Sequence, residues 1–151
     1  MLVLIWTNQA KSHPLSTRVE IVQNMTAFCG VICTKCPVYT ATQQDDDKKR
    51  EEVARMWSSS EEQINPEDII CYGCFGGKKL YKFCATCEVR ICGSTKKVKT
   101  CAHCGEYPCE ILNEHWKKED VIGMKRVGRK WGSNAKANLE EIRRNIQNAA
   151  S

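Results

Sequence analysis

The sequence predicts a small metal-stabilised domain, mainly α-helical with irregular knuckle loops and at most short β-hairpins. Three observations lead there. All eleven cysteines fall into clusters. Cys84, Cys87 and Cys92 are followed seventeen residues later by Cys101, Cys104 and Cys109 with the same C-x2-C-x4-C spacing, while Cys29, Cys33 and Cys36 form C-x3-C-x2-C and Cys71 and Cys74 form C-x2-C. The ordinary apolar core is thin for 151 residues, since the 42% hydrophobic content includes those cysteines, and metal binding coupled to folding supplies the deficit. Between and after the clusters, apolar residues recur at helical spacing.

Taken in order, residues 1–24 contain no cysteine and no sustained periodicity, and they are expected to form a disordered extension or a non-native start, with Met25 competing with Met1 as the first residue. A strand over residues 18–22 is the alternative. Thr34, Cys36 and Pro37 predict a turn into a short helix through Val38, Tyr39 and Ala41. Asp45, Asp46 and Asp47 place negative charge at the start of a second helix, whose Val53, Met56 and Trp57 form a core stripe before Ser58 to Ser60 ends it. Asn65 and Pro66 read as the cap and first position of another helix that delivers Ile69 and Ile70 to the first knuckle. Gly73, Gly76 and Gly105 are placed where knuckles need unusual backbone angles. Glu88 to Cys92 predicts a short helix, and Tyr107 to Leu112 opens a longer one running to Trp116 or beyond. Residues 125–132 read as a basic, glycine-containing linker. A final helix, capped at Ser133, carries Leu139, Ile142 and Ile146 on one face. The resulting organisation is an extension over 1–24, a cysteine-rich metal-binding core over 25–119, and a linker with a C-terminal amphipathic helix packing on the core over 120–151.

The chemistry rests on Cys29, Cys33, Cys36, Cys71, Cys74, Cys84, Cys87, Cys92, Cys101, Cys104 and Cys109 as metal ligands. Two thiolates three positions apart grip one ion because the turn between them aims both sulfurs inward. Zinc, as two or three ions, is the first expectation, and an iron–sulfur cluster is the alternative, since four cysteines serve either. One partition places Cys71, Cys74, Cys84 and Cys87 on one ion and Cys92, Cys101, Cys104 and Cys109 on another. The first triad then needs a fourth donor, from His103, His115, a carboxylate or water; in the other partition it borrows a cysteine from a downstream cluster. His103 reads as a solvated turn residue, His115 is poorly phased with Cys109, and His13 lies in the extension. The C-x3-C-x2-C triad also matches the cluster-binding spacing of radical S-adenosylmethionine enzymes. The chain is too short for the barrel they need, and Lys35 stands where those enzymes place an aromatic.

The net charge of +5 hints at an anionic partner, but ligation removes the hint. Eight thiolates holding two Zn²⁺ lower it by four, to about +1. No segment is long enough to span a bilayer and no signal peptide is recognisable, so reduced thiols in the cytoplasm and no membrane partner are expected. The expected function is that of a zinc-binding structural or interaction protein with an unidentified protein partner and no catalysis. Iron–sulfur redox or electron transfer is the first alternative. Nucleic-acid binding is the second, through Lys78, Lys79, Lys82, Arg90, Lys96, Lys97 and Lys99 with Tyr72, Phe75 and Tyr81 interleaved.

The ordered motifs resemble a known family. Cys29-Gly30-Val31-Ile32-Cys33-Thr34-Lys35-Cys36-Pro37 is similar to the opening signature of the uncharacterised cysteine-rich proteins grouped as domain of unknown function 3795. Cys71-Tyr72-Gly73-Cys74, the Cys84 to Cys92 segment with Arg90, and the Cys101 to Cys109 segment ending in Tyr-Pro-Cys match its later motifs. The resemblance spans roughly residues 25 to 147. It implies that all eleven cysteines belong to one metal-binding design, and it brings no reaction. Arg90 is expected to donate to thiolates and Tyr107 to offer its hydroxyl to a neighbour.

Overall fold

A computed structural model describes residues 25–75 and 77–151; the expectations placed on residues 1–24, including His13, and on Gly76 lie outside these. The described chain is mainly helical, and its β structure is a single antiparallel bridge between Thr26 and Ile32. That bridge closes the loop carrying Cys29. Gly30 occupies its tip with φ +102°, and a side chain there would strike the backbone of Ala135, so the position suits glycine on two counts.

A 3₁₀ turn, Cys33–Lys35, leads into α1, Pro37–Gln44. Pro37 is helix-compatible there because its missing N–H would have no intrahelical partner anyway. Helix α2 spans Asp47–Trp57 and is capped by the Asp46 carboxylate, which accepts from the Lys49 N–H at 3.0 Å, as short acidic side chains do at this position. Its buried stripe is Val53, Ala54 and Trp57. Met56, expected in that stripe, is 47% exposed: Ala54 takes the inward flank and turns residue 56 to the side. The helix expected after Asn65 is only a 3₁₀ turn, Pro66–Asp68, with a complete Asn65/Asp68 capping box. Ile69, fully buried, and Cys71 must turn inward at once, and that ends the helix after one turn.

Helix α3 is a single turn, Lys82–Ala85, and α4 spans Glu88–Thr95. Helix α5, Glu110–Val127, is longer than its first turns suggested and ends on Gly128 in the left-handed conformation, a common helix stop. The expected basic linker is therefore mostly helical, because Lys125 and Arg126 belong to the last turn of α5. Helix α6 spans Trp131–Ala149. It begins before the expected cap at Ser133, whose backbone N–H and hydroxyl both donate to the Asp120 carboxylate of α5.

Helices α5 and α6 run antiparallel, joined by the three residues 128–130. Gly132 lies directly on the Trp116 backbone, which lets the axes approach closely. The interior consists of three touching sub-cores. The first gathers Val38, Val53, Trp57, Ile69 and Tyr81 around α1 and α2. The second gathers Phe28, Val89, Leu112, Trp116 and Leu139 around α4, α5 and α6. The third, made of Ala27, Cys33 and Tyr39, lies among the first cysteines. On the last face of α6, Leu139 is fully buried and Ile142 packs on the second sub-core, while Ile146 is 36% exposed.

Candidate metal centre

Three of the C-x2-C pairs share one local geometry. The N–H of Cys36 donates to the Cys33 carbonyl at 2.9 Å, that of Cys87 to Cys84 at 3.3 Å, and that of Cys104 to Cys101 at 3.0 Å. Residues three apart in such a turn lie on the same side, so both Cα–Cβ bonds of a pair face one direction. Three cysteines then stand at N-caps: Cys36 opens α1, Cys87 opens α4 and Cys109 opens α5. Free backbone N–H groups and the positive end of the helix dipole are found at such positions. Each of the three triads in this chain thus launches a helix. The Cys71–Cys74 pair differs: Gly73, at φ +87°, donates its N–H to Cys71 Sγ at 3.4 Å.

The cysteines gather into two groups. Cys92, Cys101, Cys104 and Cys109 line one cavity of about 20 Å³ together with Gly93, Val98 and Leu112, room for one water-sized occupant. This is the second set of the first partition predicted from spacing. The other set of that partition does not stand apart. Cys36 and Cys84 pack with buried Cys71 on the first sub-core, and Cys29, Cys74 and Cys87 pack on the second. Buried Cys33 lies between them in the third, against Cys29, Cys36 and Cys74. The first triad therefore packs among the same sub-cores as Cys71, Cys74, Cys84 and Cys87. Among the described residues, no three or more His, Cys, Asp or Glu side chains are arranged as placed to hold an ion. A cysteine sulfur is re-aimed by one torsion about Cα–Cβ, with no backbone movement.

Burial, reinforced by repulsion from neighbouring thiolates, raises the pKa values of Cys29, Cys33, Cys36, Cys74, Cys84 and Cys101. Cys29 is pushed well above its usual range by burial and by Cys74 and Cys87, partly offset by the Val31 N–H. Cys33 is raised to about 12 by burial, Cys74 and Cys36, and Cys74 to about 11 by burial, Cys87 and Cys71. Cys84 moves in the same direction for the same reasons. In the second group, burial with Cys109, Cys104 and Cys92 lifts Cys101 to about 12. Such a cluster holds ionised sulfur only beside a cation.

Several groups that spacing could not reveal hold these loops. The Thr42 hydroxyl accepts from the Cys71 N–H at 2.9 Å and donates to the Val38 carbonyl at 2.8 Å. Trp116 Nε1 donates to the Cys29 carbonyl at 2.9 Å, and Asn138 to the Gly30 carbonyl at 2.9 Å. Arg143 donates from one nitrogen to the carbonyls of Ala102 at 2.8 Å and Cys104 at 3.0 Å. Arg90, expected to donate to sulfur, instead donates to the carbonyls of Cys84 and Ala85: a guanidinium fork suits two adjacent oxygens of a tight turn. The Tyr107 hydroxyl, expected to find a neighbour, is buried without a hydrogen-bond partner, its ring packing edge-on to Trp116 under Arg143.

His103 is exposed and its Nδ1 is hydrogen-bonded to the Thr100 hydroxyl at 3.0 Å. His115 lines a separate cavity with Glu88, Glu114 and Lys118, away from the sulfurs. Of the basic residues around the knuckles, Lys82 pairs with Glu62 and Lys96 with Glu106. Lys78 lies over the Tyr72 ring, and Tyr81 is buried. No helix among the described residues is long and apolar enough to cross a membrane.

No curated protein and no solved structure matches the chain. One family model does, over residues 25–114, a span that takes in all eleven cysteines, both sulfur groups and the first turn of α5. The chain belongs to the family described as protein of unknown function (DUF3795).

Proposed function

We propose that this protein is a zinc-binding structural module that presents a surface to another protein and performs no catalysis. The observation that carries the reading is the convergence of Cys92 from α4 with Cys101, Cys104 and Cys109 around one small cavity. Four sulfurs, two from the Cys101–Cys104 turn and one each from α4 and the N-cap of α5, backed by the apolar Val98 and Leu112, match the donor set of a closed four-coordinate zinc site. The seven remaining thiols hold the rest of the metal. Structural zinc here replaces the apolar interior that a chain of this composition lacks. The interaction surface is assigned to α5, which leaves Val121 69% and Met124 50% exposed, one turn apart.

The test is to purify the full chain without oxygen and to measure zinc, iron and acid-labile sulfide per chain beside a visible spectrum. Two or three zinc ions in a colourless sample are expected. Iron with sulfide overturns the zinc reading in favour of a redox or electron-transfer protein, for which four cysteines are equally suited.

A further inference from the structure

We propose that the seven thiols of the first group form one two-ion centre in which Cys74 is shared by both ions. The proposal rests on the zinc reading above and concerns how the first group holds its metal. Cys74 lies where the sub-cores meet. It packs on the second, as Cys29 and Cys87 do, and on the third, which contains Cys33 and on which Cys36 also packs. Five of the other six sulfurs, those of Cys29, Cys33, Cys71, Cys84 and Cys87, stand within electrostatic reach of it.

Donor number supports sharing. Two four-coordinate ions require eight donor positions, and seven sulfurs fill them when one sulfur serves both. Five of the six remaining thiols stand to either side, Cys36, Cys71 and Cys84 on the first sub-core and Cys29 and Cys87 on the second, and Cys33, in the third, supplies the last donor position. A bridging thiolate divides its charge between two cations, which relieves repulsion among crowded sulfurs. Arg90 adds positive charge beside Cys74. The competing eighth donor is Glu119. It sits on the face of α5 that buries Leu112, Trp116 and Gly123, and its charge is felt at Cys29 and Cys36.

Cadmium NMR of the full chain, loaded with a spin-half isotope of Cd²⁺, distinguishes these arrangements. Three resonances are expected, two of them split by mutual coupling through a shared sulfur. Cys74→Ser removes the splitting and displaces both, leaving the third unmoved, whereas Cys104→Ser displaces only the third. Uncoupled signals in the unaltered chain, one of which moves on Glu119→Gln, would overturn sharing and assign the carboxylate as the eighth donor. A single resonance that responds to Cys104→Ser would defeat the two-ion centre but leave the zinc reading standing. Failure to retain cadmium at all would defeat both.

Discussion

Thr42 shows how much of a cysteine-bearing loop can depend on a residue outside the cysteine motifs. Its hydroxyl is buried and satisfied in both directions, by the Cys71 N–H and the Val38 carbonyl. Thr42→Val keeps the shape and removes both bonds, leaving the Cys71 N–H orphaned in the interior. A loss of about 1–3 kcal/mol is expected, measured by urea denaturation at saturating zinc; an unchanged midpoint would mean that water replaces the hydroxyl. Trp116→Phe is the parallel case at Cys29, with a smaller loss of about 1 kcal/mol for the indole bond. Neither role was legible in the sequence, because threonine at a helix end and tryptophan on an apolar stripe have commoner uses. The grouping of the cysteines was more legible, because their clustered, repeated spacing anticipates the set Cys92, Cys101, Cys104 and Cys109 that lines one cavity. Arg90 shows where that legibility stops. Its position between Cys87 and Cys92 drew attention to sulfur, but the turn beneath it offers two carbonyls at better geometry.

At the scale of elements, the hairpin of α5 and α6 clamps the cysteine loops from behind. Arg143 ties α6 to the Cys101–Cys104 knuckle through two carbonyls, fixing the direction in which that pair faces. Arg143→Met is expected to weaken zinc at the Cys92, Cys101, Cys104 and Cys109 site by about 10-fold, in the range typical of groups that orient ligands. Competition with a chromophoric chelator measures it, and equal affinity in the two proteins would remove the clamp from the account. Leu139→Ala, at a fully buried position, should cost about 2–5 kcal/mol and loosen both sulfur groups together. Helix periods were readable from the sequence, since α1, α2 and α6 show their apolar spacing directly. Helix ends were less so. Ser133 has the composition of a cap, yet Asp120 across the hairpin engages it, and the close fit of Gly132 on Trp116 extends α6 back to Trp131. Tertiary contact outweighs a local signal worth about 1 kcal/mol.

For the molecule as a whole, folding and metal loading are expected to be one process. The three sub-cores are small and each is edged by cysteines, so none has enough apolar volume to stand alone. Removing metal with a chelator under reducing conditions should abolish most far-UV helicity and make all eleven thiols reactive together. Restoring Zn²⁺ should reverse both. Helicity that survives with exposed thiols would instead show an independently stable hairpin of α5 and α6. The bonds from Trp116 to the Cys29 carbonyl and from Asn138 to Gly30 span 87 and 108 positions, and they carry a consequence for biosynthesis. The chain emerges from the ribosome N-terminus first, at roughly 5–20 residues per second, so the first cysteines reach the cell many seconds before the helices that hold their loop. During that interval they are open to oxidants and to whichever metal arrives first, and the order of synthesis sets a window in which the growing chain is vulnerable.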